Sequence, residues 1–291
     1  MTAVRNLSSV APQERGEKPI RPRLIGVGVH DILHDRGTIE WAVDDAVAGR
    51  DSVHLVHAYV PLRLDGCAWS PVSKVRDRRH TVATRIVSQA VQRAIEGATE
   101  EHAGIEIGGS AIAGLPEDVL IELSAVVDLL VIGDDSFDTL VKRKITARVQ
   151  DRVECPIVCV PRNYRAQPDE RPVTVIVDEF GLCEEVMAFA AAQASRRAVT
   201  LQVSRAWSAL HEGKLAGPGW LAEQQEELDE QLATWRSHHP HLAVAARLEL
   251  GYSWLDRVRS ISSLLVTASR SADLLRSPGE TDHRCPVAII P

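Results

Sequence analysis

Short apolar runs alternate along the chain with segments that have helical spacing. The runs at residues 24–31 and 173–180 are nearly continuous and rich in β-branched residues, which is typical of strands buried on both faces of a parallel sheet. Segments with helical periodicity separate these runs. The predicted helices cover residues 37–48, 75–98, 116–125, 140–152, 183–194, 218–238 and 254–262. Strand–helix alternation of this kind predicts right-handed crossovers and a doubly wound α/β sheet.

The same pattern occurs twice, and matching residues keep their order. Val29 matches Val177 at a separation of 148 positions. The further pairs are Trp41 with Phe189, Ala58 with Ala206, Ile132 with Thr267, and Cys155 with Cys285, whose separation has fallen to 130. The sequence therefore predicts a duplicated unit with shorter loops in its second copy. We assign residues 23–162 to copy one, 163–171 to a linker, 172–291 to copy two, and 1–22 to a disordered tail.

Composition narrows the classes of function. The chain has 291 residues, a net charge of −7 and an isoelectric point near 5.9, so we expect no binding to nucleic acid or membrane surfaces. It contains no apolar run of membrane-spanning length, and its first 22 residues lack the apolar stretch of a signal peptide. We expect a cytoplasmic protein. The five scattered cysteines are expected to be mainly buried structural thiols, and no metal site is predicted.

Several motifs, taken together, resemble the universal stress protein family. Copy one carries GVGVHD at 26–31, Trp41-Ala42 eleven positions after His30, LVHAY at 55–59 and CPIVCVP at 155–161. Copy two carries VIVDEF at 175–180, VSRAW at 203–207 and CPVAIIP at 285–291. The tandem arrangement resembles actinobacterial members of the family.

The resemblance implies two tandem five-stranded, parallel-sheet, Rossmann-like domains, related to the adenine nucleotide α-hydrolase-like fold. In nucleotide-binding members, an Asp at the end of the first strand contacts the nucleoside. A glycine loop of pattern G-x2-G-x9-G-[ST] follows the fourth strand and holds the phosphates. Glycine suits this loop because backbone N–H groups must converge on the phosphates without obstruction by side chains.

Copy one departs from this pattern at both features. His30 stands at the Asp position, and Gly133 is followed by Asp134 and Asp135. Ser136 replaces the second glycine of the loop. The carboxylates would repel a triphosphate, so the resemblance implies a degenerate ATP site.

Copy two keeps the Asp as Asp178 but has Ala268 and Ser271 at the glycine positions. If either copy binds a nucleoside, we expect copy two to do so through Asp178. A strand-end Asp also serves as a helix cap, and that alternative stays open. The candidate nucleotide-site residues are Asp178, His30, His57 (as a pocket wall), Gly133 and Ser136.

We therefore expect a tandem, non-enzymatic stress-response or regulatory protein with degenerate ATP sites, which acts by binding protein partners that the sequence does not identify. No catalytic residue is predicted, because the chain lacks the G-x-S-x-G, GxxxxGK[ST] and GxGxxG motifs. Two alternatives remain: an adenine-nucleotide-binding stress sensor that uses an altered loop, and a nucleotide hydrolase. No firm cofactor is expected, with ATP or another adenine nucleotide as the open alternative. A homo-oligomer such as a dimer is also open.

Overall fold

A computed structural model describes residues 22–61, 72–98, 104–134, 148–165, 170–177, 182–207, 219–250, 254–275 and 285–291. The chain divides into two compact units; apart from the C-terminal residue, the first ends at position 166 and the second begins at position 167. This division lies within the predicted linker at 163–171. The exact bounds assigned to the tail, the linker and the two domains stay a prediction.

Copy one is a five-stranded parallel sheet with helices between its strands. The strands pair in the order β3-β2-β1-β4-β5. The strands are β1 Leu24–Gly28, β2 Ser52–Tyr59, β3 Ile107–Ala113, β4 Leu129–Asp134 and β5 Ile157–Pro161, and the helices are α1 Arg36–Gly49, α2 Val72–Gly97 and α3 Pro116–Ser124.

Copy two repeats this topology. Its strands pair in the order β8-β7-β6-β9-β10, again all parallel. The strands are β6 Val173–Val177, β7 Leu201–Trp207, β8 Val244–Leu250, β9 Leu264–Ala268 and β10 Val287–Ile290. The helices are α4 Glu184–Arg197, α5 Trp220–His238 and α6 Trp254–Ile261, and a 3₁₀ helix follows at Ser269–Leu275. The predicted fold class is confirmed in both copies.

The copies agree in local backbone detail as well as in topology. Helices α1 and α4 end at Arg50 and Ala198, which stand 148 positions apart and adopt left-handed φ angles of 54° and 53°. In each copy the next strand begins two or three residues later. The separation read from the sequence therefore holds from the first strand to the end of the first helix.

Most predicted elements are present, but the first strand is shorter than predicted. We predicted a strand over 24–31, whereas β1 ends at Gly28 because the chain bends at His30 and turns before α1. In copy two, β6 ends at Val177, and residues 178–180 lie outside the described part of the chain. Only residues 148–152 of the helix predicted at 140–152 are described; 148 and 149 are helical, whereas 150–152 form a turn instead.

The sheets pack differently against the helix that precedes their fourth strand. A Cβ atom on Gly26 in β1 would lie 3.0 Å from Val127 and 3.1 Å from Leu123, so this glycine lets the α3 segment approach closely. The matching residue in copy two is Thr174, whose buried hydroxyl lies 2.7 Å from the hydroxyl of Ser262 after α6. The same contact is thus apolar in copy one and hydrogen-bonded in copy two.

Three of the four described cysteines are buried, as predicted, and all four are free thiols. Burial, followed by the nearby charge of Asp128, raises the pKa of Cys155 to about 12, which makes it unreactive. Within the described residues, no helix is both long and apolar enough to cross a membrane.

Candidate functional site

The strand order creates one crevice in each copy. In copy one, β1 lies between β2 and β4, and β5 lies on the far side of β4, so the strand order reverses between β1 and β4. Ligands of open α/β sheets bind at such switch points. We define the copy-one crevice by residues 29–38 and Gly133. The copy-two crevice lies at the ends of β6 and β9, which pair in the same way.

A buried carboxylate occupies the copy-one crevice. Asp35 is 6% exposed, and its Oδ2 accepts hydrogen bonds from the backbone N–H groups of His30 at 2.5 Å and Asp31 at 2.9 Å. Asp35 directly precedes α1, but its side chain makes no capping hydrogen bond to that helix. The carboxylate therefore turns back toward the end of β1.

Gly133 leaves room for this carboxylate. A Cβ atom at Gly133 would lie 2.7 Å from Asp35 Oδ1 and 3.2 Å from Thr38 Oγ1, and both of these side chains are buried. The glycine predicted to begin a phosphate loop thus accommodates an anionic side chain of the protein itself.

The two candidate histidines lie at the same edge of the sheet. His30 follows β1 and its side chain is exposed, whereas its N–H points to Asp35. His57 in β2 is half-buried, and its Nδ1 donates to the carbonyl of Val29 at 2.9 Å. Since a carbonyl can only accept, the neutral His57 ring carries its proton on Nδ1. The structure therefore brings His30, His57 and Gly133 to the ends of neighbouring strands.

Asp31 orders the solvent side of the same loop. Its Oδ1 accepts the N–H groups of Leu33 at 2.9 Å and His34 at 2.8 Å, and its Oδ2 contacts the His34 ring. Partial burial alone would raise the pKa of Asp31, but the hydrogen bonds from His34 outweigh it and the pKa is lowered. The loop is thus held by two carboxylates, one on each side.

The remaining candidate residues lie in parts of the chain that the structure does not describe. Ser136 and Asp178 lie outside the described part of the chain, as does Asp135. Asp134 ends β4, and its side chain is likewise outside the description. The roles predicted for these residues stay predictions.

The copy-two crevice contains open space. It is a depression with an empty volume of about 240 Å³, including space open to solvent. The lining side chains include Val177, Cys183, Val186, Ala268, Arg270 and Ser271. Cys183 donates its thiol proton to Glu185 at 3.0 Å, and that bond is the main cause of the lowered pKa of Glu185, with a smaller contribution from the charge of Arg270. One cationic side chain therefore borders this crevice.

Sequence reasoning missed Asp35, Cys183 and Arg270. Asp35 precedes a helix, where an Asp is normally read as a cap, so its identity alone did not reveal its role. The repeat did contain a signal, because Asp35 and Cys183 stand 148 positions apart. A carboxylate in one copy thus takes the place of a thiol in the other, at the switch point of each sheet.

Comparison with known proteins gives consistent relatives. No protein-family model matches the chain. Universal stress protein Rv2005c of Mycobacterium tuberculosis is 25% identical over 239 residues, covering 78% of this chain and 80% of the relative. Universal stress protein Rv2623 of the same organism is 27% identical over 236 residues, covering 75% of this chain and 76% of the relative.

A solved structure with low sequence identity to this chain has the same fold. The crystal structure of a universal stress protein from Archaeoglobus fulgidus superposes with a TM-score of 0.62 at 11% identity, covering 92% of this chain and 96% of that chain. Curated relatives across both copies and this shared fold agree with the motifs. Over about three quarters of its length the chain is therefore similar to universal stress proteins, and it shares their fold.

Proposed function

We propose that the chain is a non-enzymatic stress-response or regulatory protein whose ATP sites are degenerate and which acts by binding protein partners. The observation that carries the proposal is the buried Asp35 carboxylate in the copy-one crevice. A phosphate in that crevice would meet a negative charge and would lose the N–H groups that Asp35 already engages.

The volume of the copy-two crevice adds support. Ligand pockets usually enclose most of the surface of their ligand, whereas the empty volume of this depression includes space open to solvent. Ala268 also stands where the family pattern has its first loop glycine. A triphosphate would therefore be poorly enclosed and would find no matching glycine.

Exposed aliphatic side chains support a role in partner binding. Leu33, Val60 and Leu115 are exposed, and they follow β1, β2 and β3 respectively. The carboxyl ends of these three parallel strands share one edge of the copy-one sheet. Apolar groups gathered on one edge are typical of surfaces that contact another protein. The cytoplasmic location and any oligomeric state also belong to this proposal.

Isothermal titration calorimetry with ATP, AMP and adenosine at physiological salt tests the proposal. We expect ATP to bind more weakly than about 100 μM, a binding free energy of about −5.5 kcal/mol or weaker. Micromolar or tighter ATP binding would contradict the degenerate sites. Incubation with a panel of nucleotides, followed by product analysis, tests the hydrolase alternative.

A second candidate, an adenine-nucleotide sensor, is favoured by the open copy-two crevice and by Arg270 at its border. Asp178 follows directly on β6, the central strand at this crevice. In this reading, adenosine and AMP bind at least as well as ATP because phosphates would find no matching loop glycine. Asp178→Ala should abolish that binding and His30→Ala should preserve it. The opposite result would assign the site to copy one.

A further inference from the structure

We propose that the Asp35 carboxylate is an internal ligand, an autoinhibitory contact that excludes small oxyanions from the copy-one crevice. This inference rests on the proposed degeneracy of the copy-one site, and it names the group that occupies the position of a bound anion there. Two successive backbone N–H groups, of His30 and Asp31, converge on the single oxygen Oδ2 of Asp35. Successive N–H groups that converge in this way form an anion-binding nest.

The burial of Asp35 supports the same conclusion. A carboxylate that is 6% exposed is costly unless hydrogen bonds compensate its charge, and charge-assisted bonds from N–H groups are among the stronger ones in proteins. The two bonds to His30 and Asp31 supply this compensation. The N–H groups are thus already aligned for a negatively charged oxygen at this position.

Ordinary helix capping does not explain the contact. A capping Asp accepts the N–H groups of the second or third helical residue, and Asp35 makes no such bond to α1. Its Oδ1 instead reaches the spot where a Cβ of Gly133 would lie, across the crevice on β4. The side chain therefore bridges the two strand ends between which a ligand would sit.

The matching position in copy two supports a local role for the carboxylate. Cys183 stands there, 148 positions after Asp35, and its thiol bonds to Glu185. The copy-two crevice contains empty volume. A buried carboxylate thus lies in the copy-one crevice, whereas a thiol lies beside open space in copy two.

The experiment removes the carboxylate and supplies an oxyanion in its place. Sulfate is titrated at constant ionic strength into the wild type, Asp35→Ala and Asp31→Ala, with backbone amide resonances of residues 30 and 31 as the readout. Asp31→Ala is the matched control, because Asp31 holds the solvent side of the same loop through Leu33 and His34. We expect Asp35→Ala to bind sulfate about tenfold more tightly than the other two proteins. Equal sulfate binding by all three would overturn the inference.

A second variant covers the case in which Asp35→Ala does not fold. Asp35→Asn keeps the shape and one acceptor oxygen but removes the charge. We expect the amide proton resonances of His30 and Asp31 to move upfield in this variant, because a neutral oxygen accepts weaker hydrogen bonds. Unchanged resonances would refute the internal ligand. Micromolar ATP binding by copy two of the wild type, with sulfate still excluded from copy one, would instead refute the proposed function, so the two failures are distinguishable.

Discussion

The two crevices occupy the same place in the same fold, yet a buried carboxylate lies in one and a thiol beside open space lies in the other. Copy one has Asp35, Thr38 and Gly133, and copy two has Cys183, Val186 and Ala268 at the matching positions. In copy one the carboxylate bonds to backbone N–H groups and reaches the glycine. In copy two the corresponding thiol bonds to a glutamate beside open space. The two copies thus present different side chains at the same place in the fold.

The amino edges of the sheets differ in the same way. In copy one, the Arg23 side chain bonds to Asp45 at 2.8 Å and to Asp51 at 2.9 Å, and Asp128 accepts the N–H of Leu24. In copy two, Pro172 matches Leu24 and has no N–H to satisfy. Ser263, which matches Asp128, instead donates its hydroxyl to the Pro172 carbonyl. At both edges of the sheet, copy one thus has carboxylates at positions where copy two has neutral side chains.

The largest expected contrast is in cysteine reactivity. In a Cys67→Ser background, which removes the cysteine outside the described residues, we expect iodoacetamide at pH 8 to label Cys183 at least about 100-fold faster than Cys155. Cys183 is partly exposed at an open crevice. The pKa of Cys155 is raised to about 12 by burial, which leaves roughly one thiolate in 10⁴ at that pH.

Peptide mass spectrometry over a time course measures both labelling rates. In concentrated urea the two cysteines should react alike, and this serves as the control. Comparable rates in the native protein would show that the crevice of copy two is no more accessible than the core of copy one.

The next contrast concerns the ion pairs of copy one. Arg23→Met should destabilise copy one by about 3 kcal/mol, because it leaves the buried carboxylates of Asp45 and Asp51 without their cation. Their side chains are 0% and 3% exposed. The matched change Arg171→Met in copy two should cost less than about 1 kcal/mol, since Arg171 is exposed and bonds to a carbonyl at 3.3 Å.

Hydrogen exchange measured by mass spectrometry separates the two copies, because peptides from each report its own opening free energy. The predicted difference is wrong if Arg171→Met lowers the opening free energy of copy two as much as Arg23→Met lowers that of copy one.

Substitutions at the matching positions Gly133 and Ala268 should change the free energy of unfolding by less. Gly133→Ala places a Cβ within 2.7 Å of Asp35 Oδ1, so the carboxylate must move and weaken its bonds to two N–H groups. We expect a loss of about 2 kcal/mol in copy one. Ala268→Gly in copy two should cost about 0.5–1 kcal/mol, through backbone entropy alone.

Copy-resolved urea titration with hydrogen exchange distinguishes these two changes. Addition of Asp35→Ala to Gly133→Ala should cost less than the sum of the separate changes, because both affect the same contact. Strict additivity would show that Gly133 and Asp35 are not coupled.

Periodicity and the repeat predicted the fold well because they report on burial, and burial is periodic in strands and helices. The apolar runs at 24–31 and 173–180 contain strands β1 and β6. The predicted end of β1 is wrong, since Val29 continues the apolar run although β1 ends at Gly28. Hydrophobicity does not record where backbone pairing stops.

The site was harder to predict than the fold. The resemblance directed attention to His30, His57 and Gly133, and all three lie at the carboxyl edge of copy one. The resemblance did not indicate a role for Asp35. The orientation of a side chain that precedes a helix depends on which backbone N–H groups the neighbouring loop exposes to it. Such tertiary choices are not encoded in residue spacing. Comparison of the two copies, residue by residue, is the one sequence signal that separates Asp35 from an ordinary cap.

The smallest expected effect tests whether the copies still share their backbone. Arg50 and Ala198 both hold the left-handed conformation after matching helices, where a Cβ atom costs energy that glycine avoids. Arg50→Gly and Ala198→Gly should therefore each stabilise their own copy by about 0.5–1 kcal/mol, after allowance for the greater entropy of glycine in the unfolded chain. Hydrogen exchange at the ends of α1 and α4 measures the two gains separately. Gln193→Gly, within helix α4, is the control, and we expect it to destabilise copy two. If one of these two substitutions stabilises its copy and the other destabilises its copy, the backbones of the two copies differ at this turn. The differences between the crevices then cannot be attributed to side chains alone.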